Sequence, residues 1–271
     1  MAISDVSLTA GMRSNLLQLQ GTAKLIDRTQ ERLSTGRQVN TALDNPTNFF
    51  ASQAAQNRAA DFSIRKDGMG EAIQNVKAAD AGISAITALV SAAKGLTEAA
   101  TGTSSTADRS TFAVQFNQIR SQIDTLASDS GYRGTNLLTG ANLAVNFNEN
   151  ASATLTVNGF TGTSGGLGIG TATGNWSTAS DITTAGNNLT TATDTLRSQS
   201  KTLAGNLNII TTRQNFTDQM IGTLQTGSDN LTLADMNNEG ANMLMLQTRQ
   251  SLGTTALSMS SQAAQSVLRL F

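Results

Sequence analysis

Among its 271 residues the chain has no cysteine and no histidine. Their absence removes the thiolate nucleophile, the commonest general base and the soft metal ligands, so most zinc sites and Ser-His or Cys-His catalysis cannot be built. The Asp and Glu residues are scattered, with no pair that the sequence pattern brings together. No catalytic, cofactor-binding or metal-binding residue is therefore assigned, and the chain is read as non-enzymatic. No disulfide can form, so cysteine usage says nothing about compartment. Charge is scarce too: 14% of residues are Asp, Glu, Lys or Arg, against about 25% in an ordinary globular protein. Ala, Ser, Thr, Asn and Gln standing where Lys and Glu would be suit faces that meet other protein. A formal net charge of -1 argues against nucleic acid or an anionic membrane as the main partner. A single proline and 4% aromatic residues favour long helices over a sandwich or barrel. The first residues, MAISDVSLTAGMRSNLLQLQ, carry no basic segment followed by an apolar run of signal-peptide length. No window approaches the ~20 apolar residues of a membrane span.

What the chain does contain is heptad spacing. Met12, Leu16, Leu19, Ala23, Ile26, Gln30 and Leu33 alternate by four and three, which puts one apolar seam with one polar exception on an N-terminal helix. STGRQVNTALDNPTNFF breaks it, with Gly36 behind the last seam residue and Pro46 behind Asp44 and Asn45, as expected of a bend or linker. The rhythm resumes without a polar break at Ala72, Val76, Ala79, Ile83, Ile86, Val90 and Ala93. TGTSSTADRS, with Ser105 or Thr106 as N-cap, turns the chain into a second helix carrying Phe112, Phe116, Ile119, Ile123 and Leu126, which folds back beside the first.

Residues 141–175 differ in kind. LAVNFNENASATLTVNGF alternates apolar and polar residues, so Leu143, Val145, Phe147, Ala153, Leu155 and Val157 are expected in a half-buried hairpin turning at 148–150. The glycines of GTSGGLGIGTATG lack the strand, helix and Lys-Ser/Thr context of a phosphate-binding loop and are read as turns. A wetter seam returns with Leu189, Leu196, Leu203, Leu207, Ile210, Ile221 and Leu224. After an expected break at TGSDN, 226–230, the last helix places Met236, Met243, Leu246, Gly253, Leu257, Ala264, Val267 and Phe271 on one rhythm interrupted by Glu239, Gln250 and Ser260. The fold class is thus mainly α, with long coiled-coil-like helices from both ends and a small β-hairpin in the middle. A discontinuous terminal-helix domain, 1–43 plus 228–271, is expected beside a domain at 44–227 of three long helices and a small β region at about 141–175. Two terminal helices with polar seam positions hold too little core to be stable without neighbouring molecules.

LSTGRQVNTALDNPTNFFASQAAQNR at 33–58, GYRGTNLLTG at 131–140 and LGTTALSMSSQAAQSVLRLF at 252–271 resemble a bacterial flagellin, in family order, over roughly residues 1–140 and 185–271. The resemblance implies a structural filament subunit that polymerises through its terminal helices into a motility propeller. It implies an extracellular location reached by the flagellar type III route without a cleaved signal. Implied partners are many copies of the same chain, an export chaperone, the filament cap and hook-junction proteins, with no cofactor, nucleic acid or membrane. A hook-filament junction protein of the same architecture is the alternative. The assembly seams are expected at Met12, Leu16, Leu19, Ala23, Ile26, Leu33, Met236, Met243, Leu246, Leu257, Ala264, Val267 and Phe271. Many flagellins insert large, variable outer domains in the middle of the chain, whereas here only about 35 to 45 residues separate the matching regions, so a thin filament with a minimal outer surface is expected. LVSAAKGLTEAATGTSS, 89–105, aligns with the segment that the flagellin-sensing Toll-like receptor reads in recognised members. Those carry a pattern close to Leu-Gln-Arg-Val-Arg-Glu-Leu-Ala, whereas here Ser91 and Ala93 stand at the arginine positions and Lys94 at the glutamate. Weak or absent receptor activation is expected.

Overall fold

The computed structural model describes residues 10–268, with side chains to residue 266. Among the described residues there are five α-helices: α1 (Ala10–Thr35), α2 (Pro46–Gly102), α3 (Thr106–Asp129), α4 (Ala179–Thr232) and α5 (Met236–Leu268). Between α3 and α4 lie the antiparallel strands β1 (Leu143–Asn146) and β2 (Thr154–Val157). The fold class expected from the sequence is the one observed. Two compact units form, one from residues 1–57 and 224–271 and the other from residues 58–223. The sequence had placed the divisions at 43/44 and 227/228.

In the central unit, 58–223, α2 and α4 run antiparallel. Lys66 reaches Asp218, and the Gln214 amide donates to the Lys66 carbonyl. Further along, the Ser200 hydroxyl lies 2.9 Å from an Asp80 carboxylate oxygen, and Gly186 approaches Thr97. Every seam position of α2 from Ala72 to Ala93 is buried, as are Phe116 and Ile123 of α3 and Leu189, Leu196, Leu203 and Ile210 of α4. They form one continuous core with both strands. By length and composition alone α2 contains a stretch apolar enough to cross a membrane, with a mean hydropathy of 1.3; the sequence reading expected none. Its apolar positions from Met69 to Ala100 are those that fill this core, so packing accounts for them.

Local chemistry fixes the turns. The Ser105 hydroxyl accepts the Asp108 N–H and caps α3. The 131–140 stretch closes the other end: the Asn136 amide donates to the carbonyls of Ala127 and Ser128 at 2.8 and 2.9 Å while its Oδ1 accepts the Leu138 N–H at 2.9 Å. One side chain thus satisfies two orphan carbonyls of the helix end and aims Leu137 and Leu138, both fully buried, into the core. Gly82 is required beneath it, because a Cβ there would lie 2.2 Å from the Ser130 hydroxyl. The hairpin pairs Leu143 with Val157 and Val145 with Leu155. Its turn is tied by the Phe147 N–H to the Ala153 carbonyl and by the Ala153 N–H to Asn148 Oδ1.

The glycine-rich segment that follows is turn, as expected. It also delivers Leu167, Ile169 and Trp176 to the core, pinned to α3 by Arg120 donating to the Ile169 carbonyl and by Asp124 accepting from Ser164. The break expected at 226–230 is absent. Helix α4 continues through Gly227 to Thr232, because Ser228 is held at 2.8 Å by the Ser52 hydroxyl and at 2.9 Å by the Gln56 amide.

Candidate assembly surface

The terminal unit, 1–57 and 224–271, is organised by the stretch that interrupts the first seam. Gly36, at a left-handed φ of +70°, ends α1 with its N–H on the Arg32 carbonyl at 2.8 Å, a conformation glycine adopts without Cβ strain. The chain then crosses the α4–α5 connection as a short antiparallel bridge. The Ala234 N–H donates to Gly36, and the N–H groups of Gln38 and Val39 donate to Thr232. Asp44 closes the next turn, accepting the Thr41 and Asn40 N–H groups and the Thr41 hydroxyl. Those donors, the Thr41 N–H foremost, hold its carboxyl below the ordinary carboxylate value. Asn45 accepts the Asn48 N–H, with Pro46 at the first helical position, where no N–H is needed. Asp235 does the same for α5, accepting from the N–H groups of Asn237 and Asn238.

Beyond the bridge, α1 and α5 pack side by side, antiparallel. Arg32 pairs with Glu239 at 2.9 Å. Farther along, a Cβ on Gly253 would fall 2.6 Å from Leu19 Cδ2, so the Leu19 side chain lies directly against the α5 backbone there. A groove of about 670 Å³ opens beside that contact, lined by Asn15, Leu25, Arg249 and Leu252 among others.

Of the expected seam residues, Met12 and Leu246 are buried, and Leu19, Ala23, Ile26, Leu33, Met243, Leu257 and Ala264 are half-buried. Leu16 and Met236 face outward, 38% and 47% exposed. The Val267 side chain and Phe271 lie outside the described residues. Met12, Val39 and Leu246 are the buried apolar side chains of this unit among the described residues, whereas the central unit holds the whole continuous core.

The seam reading missed a second apolar stripe. Met245, Leu252 and Met259 recur at intervals of seven on α5 and are 46%, 66% and 59% exposed. Leu244 joins them on α5; Leu17 and Leu25 are exposed on α1, and Leu43 and Phe50 are exposed around the 40–45 turn. Met245, Leu252 and Leu25 each precede a seam residue, Leu246, Gly253 and Ile26, so they sit 100° round the helix from it. The signal was in the sequence, as adjacent apolar pairs instead of single heptad positions. The central unit also exposes Ile64, Val114, Ile209 and Phe216, but most of the large apolar side chains left in water fall on the terminal unit, and such a concentration marks a protein-contacting surface.

In the segment expected to face a receptor, Ser91 and Lys94 are exposed. Ala93 is not: at 1% exposure it belongs to the core. Between residues 91 and 95 the exposed positions are Ser91, Ala92, Lys94 and Gly95, and Lys94 is the cation among them. Among the described residues no group of Asp and Glu could hold a metal ion.

Comparison with known proteins gives a consistent picture. Residues 3–143 match the family model described as bacterial flagellin N-terminal helical region. Flagellin FljM of Caulobacter vibrioides is 29% identical over 273 residues, covering 100% of both chains. A flagellin of Brucella melitensis is 29% identical over 269 residues, covering 94% of this chain and 95% of the relative. A crystal structure of Bacillus cereus flagellin aligns with a TM-score of 0.49 at 19% identity, over 55% of this chain and 88% of that one.

Proposed function

The chain belongs to the bacterial flagellin family, and from that premise we propose how its two units divide the work of a subunit in a flagellar filament. The protein is a structural, filament-forming subunit that assembles with copies of itself outside the cell. The central unit is the rigid body, since its core is complete within one chain. The terminal unit is the adhesive part. What carries this reading is the contrast in burial among the described residues: three buried apolar side chains against a row of exposed Leu, Met and Phe. Copies packing around α1 and α5 would bury the Met245–Leu252–Met259 stripe and complete a core that one chain cannot fill. Export by the type III route without signal cleavage, and delivery by a chaperone to a growing tip under a cap protein, belong to the same proposal.

Removing residues 260–271 tests it. The truncated chain should keep a folded central unit, seen by thermal unfolding, and fail to polymerise on seeds of the intact protein. Filaments formed by the truncated chain would overturn the division of labour.

The same geometry supports weak or absent activation of the flagellin-sensing receptor. The exposed face at 91–95 offers one lysine and no guanidinium fork, and a lysine cannot replace bidentate arginine recognition. A reporter-cell assay with purified monomer should give little response, and a strong one would refute this.

A further inference from the structure

Of the asparagines in the sequence, Asn158 alone is followed by glycine, the neighbour that offers least steric resistance to attack of a backbone nitrogen on the asparagine side chain. Asn158 is exposed, directly after β2. The fold cannot remove the hazard by changing the glycine. A Cβ on residue 159 would lie 2.1 Å from the Ala141 carbonyl oxygen and 2.7 Å from that of Leu137, and both are backbone atoms that cannot swing aside.

The hazard is specific chemistry. The Gly159 nitrogen gives up its proton and bonds to Asn158 Cγ, and the side-chain nitrogen leaves as ammonia, closing a five-membered succinimide. One water then opens the ring at either carbonyl, leaving aspartate or isoaspartate. The first outcome adds a negative charge; the second also inserts a methylene into the main chain next to the strand.

The structure opposes the attack at the nucleophile. The Gly159 N–H donates to Asn142 Oδ1 at 3.0 Å. Immediately beyond, the Phe160 N–H donates to Leu137 at 2.7 Å and the Gly162 N–H to Leu138 at 2.8 Å, with Thr139 and Thr161 bridged between them. The peptide is thus fixed on one side by β2 and on the other by the 137–141 segment, and attack demands a near-contact geometry that only a released peptide can reach.

We infer that Asn158–Gly159 is a latent deamidation site and that Asn142 is its positioning residue, holding the Gly159 nitrogen protonated and turned away from Asn158. Reaction is then confined to locally opened molecules, and its rate follows the population of that open state.

The test uses the full-length folded protein in mildly alkaline buffer, with peptide-resolved mass spectrometry following the exchange of amide for carboxyl at Asn158. Wild type is compared with itself in urea and with N142A and N142D. Folded wild type should react far more slowly at Asn158 than the urea-unfolded chain. N142A should accelerate it about fivefold, the equivalent of a hydrogen bond worth ~1 kcal/mol, with the other asparagines unchanged. N142D, which keeps an acceptor oxygen, should restore the slow rate. Equal rates in folded and urea-unfolded wild type would overturn the latent site. An unchanged rate in N142A, or acceleration in N142A and N142D alike, would overturn the role of Asn142. If N142A is unfolded, the N142D rate and the urea comparison decide.

Discussion

Replacing the outward stripe of α5 by glutamine, M245Q/L252Q/M259Q, separates assembly from folding. Glutamine has nearly the helix propensity of leucine and methionine, so the helix itself is spared. The three side chains are 46%, 66% and 59% exposed in the single chain, so about half to two thirds of each remains for a neighbour to cover. Complete burial of such a side chain stabilises by roughly 1.5–3 kcal/mol, which leaves ~1–2 kcal/mol per position and ~3–5 kcal/mol for all three. The critical concentration for polymerisation, measured by sedimentation at equilibrium, should therefore rise by roughly 10²-fold to several thousand-fold. Thermal unfolding of the dilute subunit should barely move, because surface changes cost within about 0.5 kcal/mol each. An unaltered critical concentration would refute the assignment of this stripe, and a large loss of monomer stability would show that α5 already buries it.

Three further outcomes follow from particular contacts. The Arg32–Glu239 pair is lopsided, with side chains 30% and 10% exposed, so R32A strands a buried carboxylate and should weaken polymerisation by about 1–3 kcal/mol. E239A leaves a guanidinium that can reach water and should cost less; the reverse order, by critical concentration, would count against the pairing. N136A removes the bonds that close α3 and should destabilise the central unit by about 1–3 kcal/mol in thermal unfolding. Asp44 has its carboxyl lowered from 3.8, chiefly by the Thr41 N–H, so its contribution is present above that unfolded value and lost as pH falls through the lower folded one. The Thr41 amide resonance should therefore report loosening of the turn only in acid, and D44N should abolish that transition.

Periodic features could be read directly. Seven heptad positions of α2 are all buried, because an uninterrupted apolar stripe has no other stable place in water. Gly36 and Ser105 were legible for a similar reason, each solving one helix-end problem locally. What escaped notice depends on distant partners. Gly227 and Ser228 read as a break, but Ser52 and Gln56 hold the helix through them. Leu137, Leu138, Leu167, Ile169 and Trp176 are fully or almost fully buried, yet they sit singly or in pairs inside glycine-rich loops with no period to betray them. Leu16 and Met236, expected on the seam, turn outward in the single chain, since heptad arithmetic does not say which of two neighbouring apolar stripes meets the other helix of the same chain.

Amide hydrogen exchange on dilute subunits and on assembled filaments, resolved along the chain, tests the central claim most directly. The account predicts that in the dilute subunit α1 and α5 exchange much faster than α2 and α3 of the central unit, and that assembly slows them to comparable protection. Terminal helices already as protected as the central ones before any copies meet would contradict it.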